Sequence, residues 1–128
     1  MKSLLLFVVI LLTELFFTAA YSCDNNPHTD GCSIDLLGRP MPFYFKKKFT
    51  PACQRHDVCY ACGSQFGMSR LNCDKVFHTR MKRICERRGR SCKFIAMIYY
   101  KAVRWAGRGR YHTEPLDWCK ESWINKCL

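Results

Sequence analysis

The sequence predicts an all-α fold that is mainly helical and rich in disulfides, and two observations carry this prediction. Ten cysteines follow an export signal, and an even cysteine count in a short secreted chain indicates a disulfide framework rather than a metal cluster. Three later stretches have the apolar spacing or the start and stop signals of helices. A core of this size is modest, so we expect one compact domain, residues 21–128, stapled by five bridges.

Residues 1–20 are predicted to be a signal peptide rather than part of the fold. Lys2 gives a positive start, residues 4–12 form an unbroken apolar run, and Thr18-Ala19-Ala20 supplies the small residues of a cleavage site. The apolar run is shorter than the roughly 20 residues that span a bilayer. The mature chain is therefore expected to be secreted.

The mature chain should begin with a loop-rich segment that leads into a first helix. Residues 23–51 are rich in Asn, Asp, Gly and Pro and should be mostly loop. Pro51 suits the first turn of a helix, which is expected over about residues 52–61 and should end near Gly63.

Two further helices and a tail should follow. The second helix is expected to begin near Ser69, and the third should span about residues 93–106, where apolar residues on several sides indicate burial. Between them, Cys85 and Cys92 are close enough along the chain to pair with each other. The tail, which follows residue 110, carries the last two cysteines, Cys119 and Cys127, and should be tied down by disulfides.

The most informative local feature is the dipeptide His56-Asp57, which lies between Cys53 and Cys59. Asp74 follows on the apolar face of the next helix, where an ionised carboxylate is costly unless it is paired. His56 is the obvious partner. A histidine base, a carboxylate that orients it and a second carboxylate able to bind a hard cation together suggest metal-assisted hydrolysis.

These residues resemble the secreted phospholipase A2 superfamily, in the compact branch that includes bacterial and fungal enzymes and the cone-snail venom enzymes called conodipines. The segments that carry the resemblance are, in chain order, Thr29-Asp30-Gly31-Cys32, Phe49-Thr50-Pro51-Ala52-Cys53-Gln54-Arg55-His56-Asp57, Asp74 with Phe77, and Met81-Lys82-Arg83-Ile84-Cys85. They cover roughly residues 29–106. The bacterial members lack six of the cysteines found here, so the resemblance does not cover those bridges or the tail.

The resemblance implies a role for each matching residue. His56 is similar to the catalytic histidine and Asp74 to the aspartate that orients it, with water as the nucleophile. Asp57 and Asp30 resemble the carboxylate ligands of Ca²⁺, and the Gly31 carbonyl would be a backbone ligand. The implied fold has two antiparallel catalytic helices, a third packed helix and a disulfide-tied tail. The implied activity is calcium-dependent hydrolysis of the sn-2 ester of phospholipids.

Composition favours an anionic partner. The sequence has 21 Lys and Arg against 10 Asp and Glu, a formal net charge of +11. A phospholipid membrane surface, anionic in character, fits this charge, as would sulfated glycans or acidic receptors. The export signal and the lack of a nucleic-acid-binding motif argue against nucleic acid. The sequence sets no oligomeric state.

Two local alternatives stay open at this stage. The aromatic residues of segment 43–49, which surround Lys46 to Lys48, could form a membrane interface, or they could cover the core while the lysines are merely solvated. Tyr99 or Tyr100 could donate a hydrogen bond to Asp74, or could serve core packing.

An alternative function also remains. A non-enzymatic basic cysteine-rich toxin or defence protein could use the same scaffold to bind a channel, a receptor or an anionic membrane. The presence of every expected catalytic residue favours the enzyme.

Overall fold

Helices dominate the described chain. The structure is a computed structural model that describes residues 22–33, 35–36, 39–40 and 43–128, so the predicted signal peptide lies outside the described residues. A two-stranded antiparallel hairpin, β1 (Asp35–Leu36) and β2 (Arg39–Pro40), precedes three helices, α1 (Phe43–Cys62), α2 (Arg70–Ile84) and α3 (Gly89–Ala106). A short 3-10 helix, Gly63–Phe66, lies between α1 and α2, and three more follow α3 at Gly107–Arg110, Asp117–Lys120 and Ile124–Cys127. The all-α, disulfide-rich class is confirmed.

Helix α1 is longer than the sequence predicted. It begins at Phe43 instead of about residue 52, and Pro51 lies inside it. A proline inside a helix removes one backbone hydrogen bond and costs about 3 kcal/mol. The added turns bury Phe49 completely in the core, with Phe45 packed beside it, and this burial offsets that cost. The loop prediction for residues 23–51 is therefore wrong from Phe43 onward, and two of the aromatic residues of segment 43–49 cover the core.

Helices α2 and α3 begin close to their predicted starts. Ser69 caps α2, because its hydroxyl oxygen accepts a hydrogen bond from the Asn72 backbone N–H at 3.2 Å. Helix α3 begins at Gly89, a few residues before the predicted start, and the left-handed φ of +83° at this position suits a glycine.

Each helix runs antiparallel to the next. Cys59 near the end of α1 bonds to Cys73 near the start of α2. The same reversal joins α2 to α3, where Cys85 bonds to Cys92 as predicted and the rings of His78 and Tyr100 stack at 4.8 Å. One face of α2 thus meets α1 and another meets α3.

All ten cysteines lie in the described residues and form the five bridges that the sequence predicted. The pairs are Cys23–Cys127, Cys32–Cys53, Cys59–Cys73, Cys62–Cys119 and Cys85–Cys92. Two of them join the C-terminal tail to Cys23, near the start of the described residues, and to Cys62 at the end of α1. A second apolar cluster, with Val58 and Ile124 fully buried, seats the tail against α1.

None of the helices in the described part of the chain has the length and apolar character needed to cross a bilayer.

Candidate active site

Asp74 is fully buried and stands at the centre of a polar network. Its Oδ1 atom accepts hydrogen bonds from His56 Nε2 and from the Tyr60 hydroxyl, each at 2.7 Å. Its Oδ2 atom accepts one from Arg104 Nη1, also at 2.7 Å. Burial by itself would raise the pKa of Asp74, but the hydrogen bonds from His56, Arg104 and Tyr60 outweigh it and hold the pKa below its usual value. The carboxylate is therefore ionised and held in one orientation.

All three helices contribute to this network. His56 and Tyr60 are four residues apart on α1, so they share one face. Asp74 comes from α2, and Arg70 lies one turn before it, with its Nη1 atom 4.0 Å from Asp74 Oδ2. Arg104 reaches in from the last turn of α3. The network forms only when the three helices pack together.

His56 is placed to act as a neutral base. Its ring is buried, 4.5 Å from the Phe77 ring and 4.1 Å from the Tyr60 ring. Burial lowers the pKa of His56, and this effect outweighs the opposing pull of Asp74. Because the Asp74 carboxylate can only accept, Nε2 carries the proton and Nδ1 keeps its lone pair. That lone pair can accept a proton from a bound molecule.

Asp57, one residue further along α1, lies near a second carboxylate, Asp30, and the positive charge of Arg110 offsets this repulsion only in part. Its Oδ2 atom is buried and has no hydrogen-bond partner among the described residues. Burial and then the nearby charge of Asp30 raise the pKa of Asp57 to about 7, although a backbone hydrogen bond from Gly31 opposes the rise. A bound cation would offset the repulsion between the two carboxylates and would give the unpaired Asp57 oxygen a partner.

The three predicted metal ligands are brought together by the structure. Gly31 adopts a left-handed φ of +77°, and its carbonyl accepts one hydrogen bond from the Ser33 N–H at 3.0 Å, which leaves a second lone pair. In the described ranges no group of three or more His, Cys, Asp or Glu side chains is suited to a metal. The donors here are instead two carboxylates, Asp30 and Asp57, and one carbonyl. This all-oxygen set fits Ca²⁺, which takes its remaining ligands from water or a bound molecule.

A cavity of about 360 Å³ connects the histidine with part of the carboxylate site. His56, Asp57 and Gly31 lie on its polar side. Its apolar wall combines residues from α2, α3 and the tail, namely Phe77, Ala102, Val103, Ala106, Leu116 and Trp118. Arg110, in the 3-10 turn after α3, also lines it and brings positive charge. The cavity can therefore hold an apolar chain beside a charged group.

The tyrosine that donates to Asp74 is neither of the two candidates that the sequence left open, and Tyr99 takes the core-packing alternative. Tyr60 donates the hydrogen bond, whereas Tyr100 stacks on His78 and the Tyr99 hydroxyl is buried without a partner among the described residues. Burial raises the pKa of Tyr99 to about 12. The spacing of four residues between His56 and Tyr60 was the available signal. The contribution of Arg104 had no such local signal, because it depends on how α3 crosses α2.

The chain belongs to the prokaryotic phospholipase A2 family, whose model matches residues 17–107, more than half of the sequence. The arginine at 110 and the tail residues of the cavity wall lie beyond that match.

The chain is also similar to cone-snail proteins. Conodipine-P3 of Conus purpurascens is 45% identical over 62 residues, which are 48% of this chain and 32% of the conodipine. The Conodipine-M alpha chain of Conus magus is 36% identical over 58 residues, which are 45% of this chain and 70% of that alpha chain. The matched segment thus spans about a third of the length of Conodipine-P3 and its P1 and P2 counterparts. No solved structure matches the chain.

Proposed function

We propose that this protein is a secreted, calcium-dependent phospholipase A2 that hydrolyses the sn-2 acyl ester of glycerophospholipids. The observation that carries the proposal is the buried His56–Asp74 pair, whose histidine lines, with Asp57, a cavity that has one polar and one apolar side. Membership of the prokaryotic phospholipase A2 family supports the reaction class. Similarity to conodipines of Conus supports a role as a venom component.

In the proposed reaction, His56 activates a water molecule. As the water oxygen bonds to the ester carbonyl carbon, its proton passes to His56 Nδ1, and the positive charge that forms on the ring is balanced by Asp74. The tetrahedral intermediate then expels the glycerol oxygen, to which His56 returns the proton. The products are a free fatty acid and a lysophospholipid.

Tyr60 and Arg104 act as positioning residues in this scheme. Both donate hydrogen bonds to Asp74, and together they hold the carboxylate ionised and fixed against the His56 ring. Neither is placed to transfer a proton to the substrate, because the hydrogen bond that each donates ends on Asp74.

The Asp30 and Asp57 carboxylates and the Gly31 carbonyl would hold calcium. The bound ion would supply Lewis-acid polarisation of the ester carbonyl and stabilise the negative charge on its oxygen. The apolar wall of the cavity accommodates the acyl chain, and Arg110 offers a cation for the lipid phosphate.

The first test is fatty-acid release from phospholipid vesicles whose sn-1 and sn-2 chains carry different labels. We expect release of the sn-2 label with calcium, loss of release on chelation, and a loss of at least ~100-fold in His56→Gln. Activity that survives chelation, or near-normal activity in folded His56→Gln, contradicts the proposal.

Two substitutions separate metal binding from base orientation. Asp57→Asn should abolish calcium binding in calorimetry and hydrolysis together, because the amide loses the charge that holds a hard cation. Asp74→Asn should reduce hydrolysis and leave calcium affinity unchanged, because the amide presents the wrong partner to His56. If Asp74→Asn loses calcium binding instead, Asp74 is a metal ligand and the assigned roles are wrong.

A further inference from the structure

The outer face of α3 exposes large apolar side chains to solvent. Phe94 is 56% exposed, Met97 is 36% exposed and Trp105 is 80% exposed. With Lys101 between them, these residues recur three or four positions apart, so they form one stripe along the helix. We call Phe94, Met97, Lys101 and Trp105 the α3 stripe. A tryptophan exposed to this degree is unusual for a residue that contributes so much apolar area when buried.

The charged residues of α3 itself all have one sign. Helix α3, Gly89–Ala106, contains four basic residues and no Asp or Glu. Exposed arginines flank both ends of the helix, and Glu86 is the one acidic residue within four positions of those ends. The exposed basic residues on α3 and within four positions of its ends are Arg87, Arg88, Arg90, Lys93, Lys101, Arg108 and Arg110. The stripe is thus an apolar strip bordered by cations.

The other side of the same helix lines the cavity. Ala102, Val103 and Ala106 belong to the cavity wall, and Trp105 directly precedes Ala106. A surface that touches the α3 stripe therefore lies within one helix diameter, roughly 10 Å, of the cavity.

We infer that the α3 stripe docks the protein onto an anionic phospholipid bilayer. Tryptophan and phenylalanine enter the boundary between headgroups and acyl chains, while lysine and arginine meet the phosphates, and the stripe offers both. A second copy of the chain fits poorly, because pairing two stripes would oppose the same cations. The inference rests on the proposed function in its choice of a lipid partner.

The test measures binding to vesicles of equimolar phosphatidylcholine and phosphatidylglycerol by co-sedimentation, with chelator present so that no hydrolysis occurs. Removing apolar contact in Phe94→Ser/Trp105→Ser should weaken binding at least ~10-fold. Reversing charge in Lys93→Glu/Lys101→Glu should also weaken it at least ~10-fold and flatten its salt dependence, since each basic residue near an anionic surface adds to the attraction.

Two matched controls fix the location. Phe66→Ser removes an exposed aromatic from the turn before α2, and Lys46→Glu/Lys47→Glu makes the same charge change on α1. Both should bind within about 2-fold of the parent, because the proposed contact does not include them. An equal loss of binding in the controls would overturn the inference in favour of attraction by net charge. Normal binding by the stripe variants would overturn it in favour of another surface.

Two further outcomes would also overturn the inference. The first is that the parent chain does not bind the vesicles. The second is that the parent chain forms dimers in sedimentation and that Phe94→Ser/Trp105→Ser abolishes them, which would assign the stripe to a second copy. Hydrolysis of a short-chain monomeric phospholipid keeps the two proposals apart. The stripe variants should still hydrolyse the monomeric phospholipid. A parent chain that binds vesicles through the stripe but hydrolyses neither the vesicle lipid, once calcium is supplied, nor the monomer would contradict only the proposed function.

Discussion

At the scale of single residues, two tyrosines buried in the described part of the chain have hydroxyls in opposite environments. Tyr60 donates to the ionised Asp74 at 2.7 Å, whereas the Tyr99 hydroxyl is buried without a partner among the described residues. A hydrogen bond to a charged group contributes about 1.5–3 kcal/mol, and an unsatisfied buried polar group costs about 1–3 kcal/mol. The same change of tyrosine to phenylalanine should therefore have different effects at the two positions.

We expect Tyr60→Phe to lower the free energy of unfolding by about 1.5–3 kcal/mol and to reduce hydrolysis, because Asp74 loses one of its three hydrogen bonds. Tyr99→Phe should leave both quantities unchanged or raise the stability. Urea unfolding of both variants, with turnover on a monomeric substrate, checks this. Equal destabilisation by the two changes would show that the Tyr99 hydroxyl has a partner that the structure does not contain.

At the scale of elements, the end of α3 is shaped to admit the Tyr60 ring. Gly107 follows α3 with an ordinary φ of −79°, so its backbone does not require a glycine. The packing around this position does require a glycine, because a Cβ atom there would lie 2.5 Å from the Tyr60 hydroxyl oxygen. The chain turn after α3 is thus coupled through Tyr60 to the position of Asp74.

Gly107→Ala should displace Tyr60 and lower both the melting temperature and the turnover. The matched control is Gly109→Ala, two residues further on, where an added Cβ meets nothing within 4 Å. This control should be neutral or slightly stabilising, by up to about 1 kcal/mol, because alanine restricts the unfolded chain. Calorimetric unfolding and kinetics of the pair provide the measurement. A fully active Gly107→Ala would mean that the Tyr60 contact is dispensable.

At the scale of the whole molecule, the disulfides Cys23–Cys127 and Cys62–Cys119 anchor the tail that completes the cavity. Cys62–Cys119 joins residues 57 apart, whereas Cys85–Cys92 joins residues 7 apart between α2 and α3. Leu116 and Trp118, next to Cys119, line the cavity. The longer bridge therefore both closes a large loop and holds part of the cavity wall.

Removing the Cys62–Cys119 bridge by double alanine substitution should destabilise the protein more than removing Cys85–Cys92. Loop entropy alone makes the difference about 2 kcal/mol. The first variant should also bind a monomeric phospholipid more weakly, because the wall near Trp118 loosens. Thermal unfolding and KM of both variants test this. A greater loss from the Cys85–Cys92 variant would show that the tail is held chiefly by its apolar contacts around Ile124.

Short-range patterns in the sequence determined much of this protein. Apolar spacing and cap residues predicted three helices and the start at Ser69, and the cysteine count predicted five bridges. The cost of burying a lone carboxylate singled out Asp74 and named His56 as its partner. These inferences succeed because helix spacing, capping and charge burial act over a few residues or follow from one side chain's chemistry.

Tertiary packing alone decided the rest. Burial of Phe49 extends α1 through Pro51, a result that local propensity opposes. The crossing of α3 over α2 brings Arg104 to Asp74, and the fold of the tail selects which cysteines pair and places Trp118 on the cavity. Packing of the opposite side of α3 leaves Trp105 in solvent. Each of these depends on how distant segments meet, and sequence spacing carries no information about that geometry.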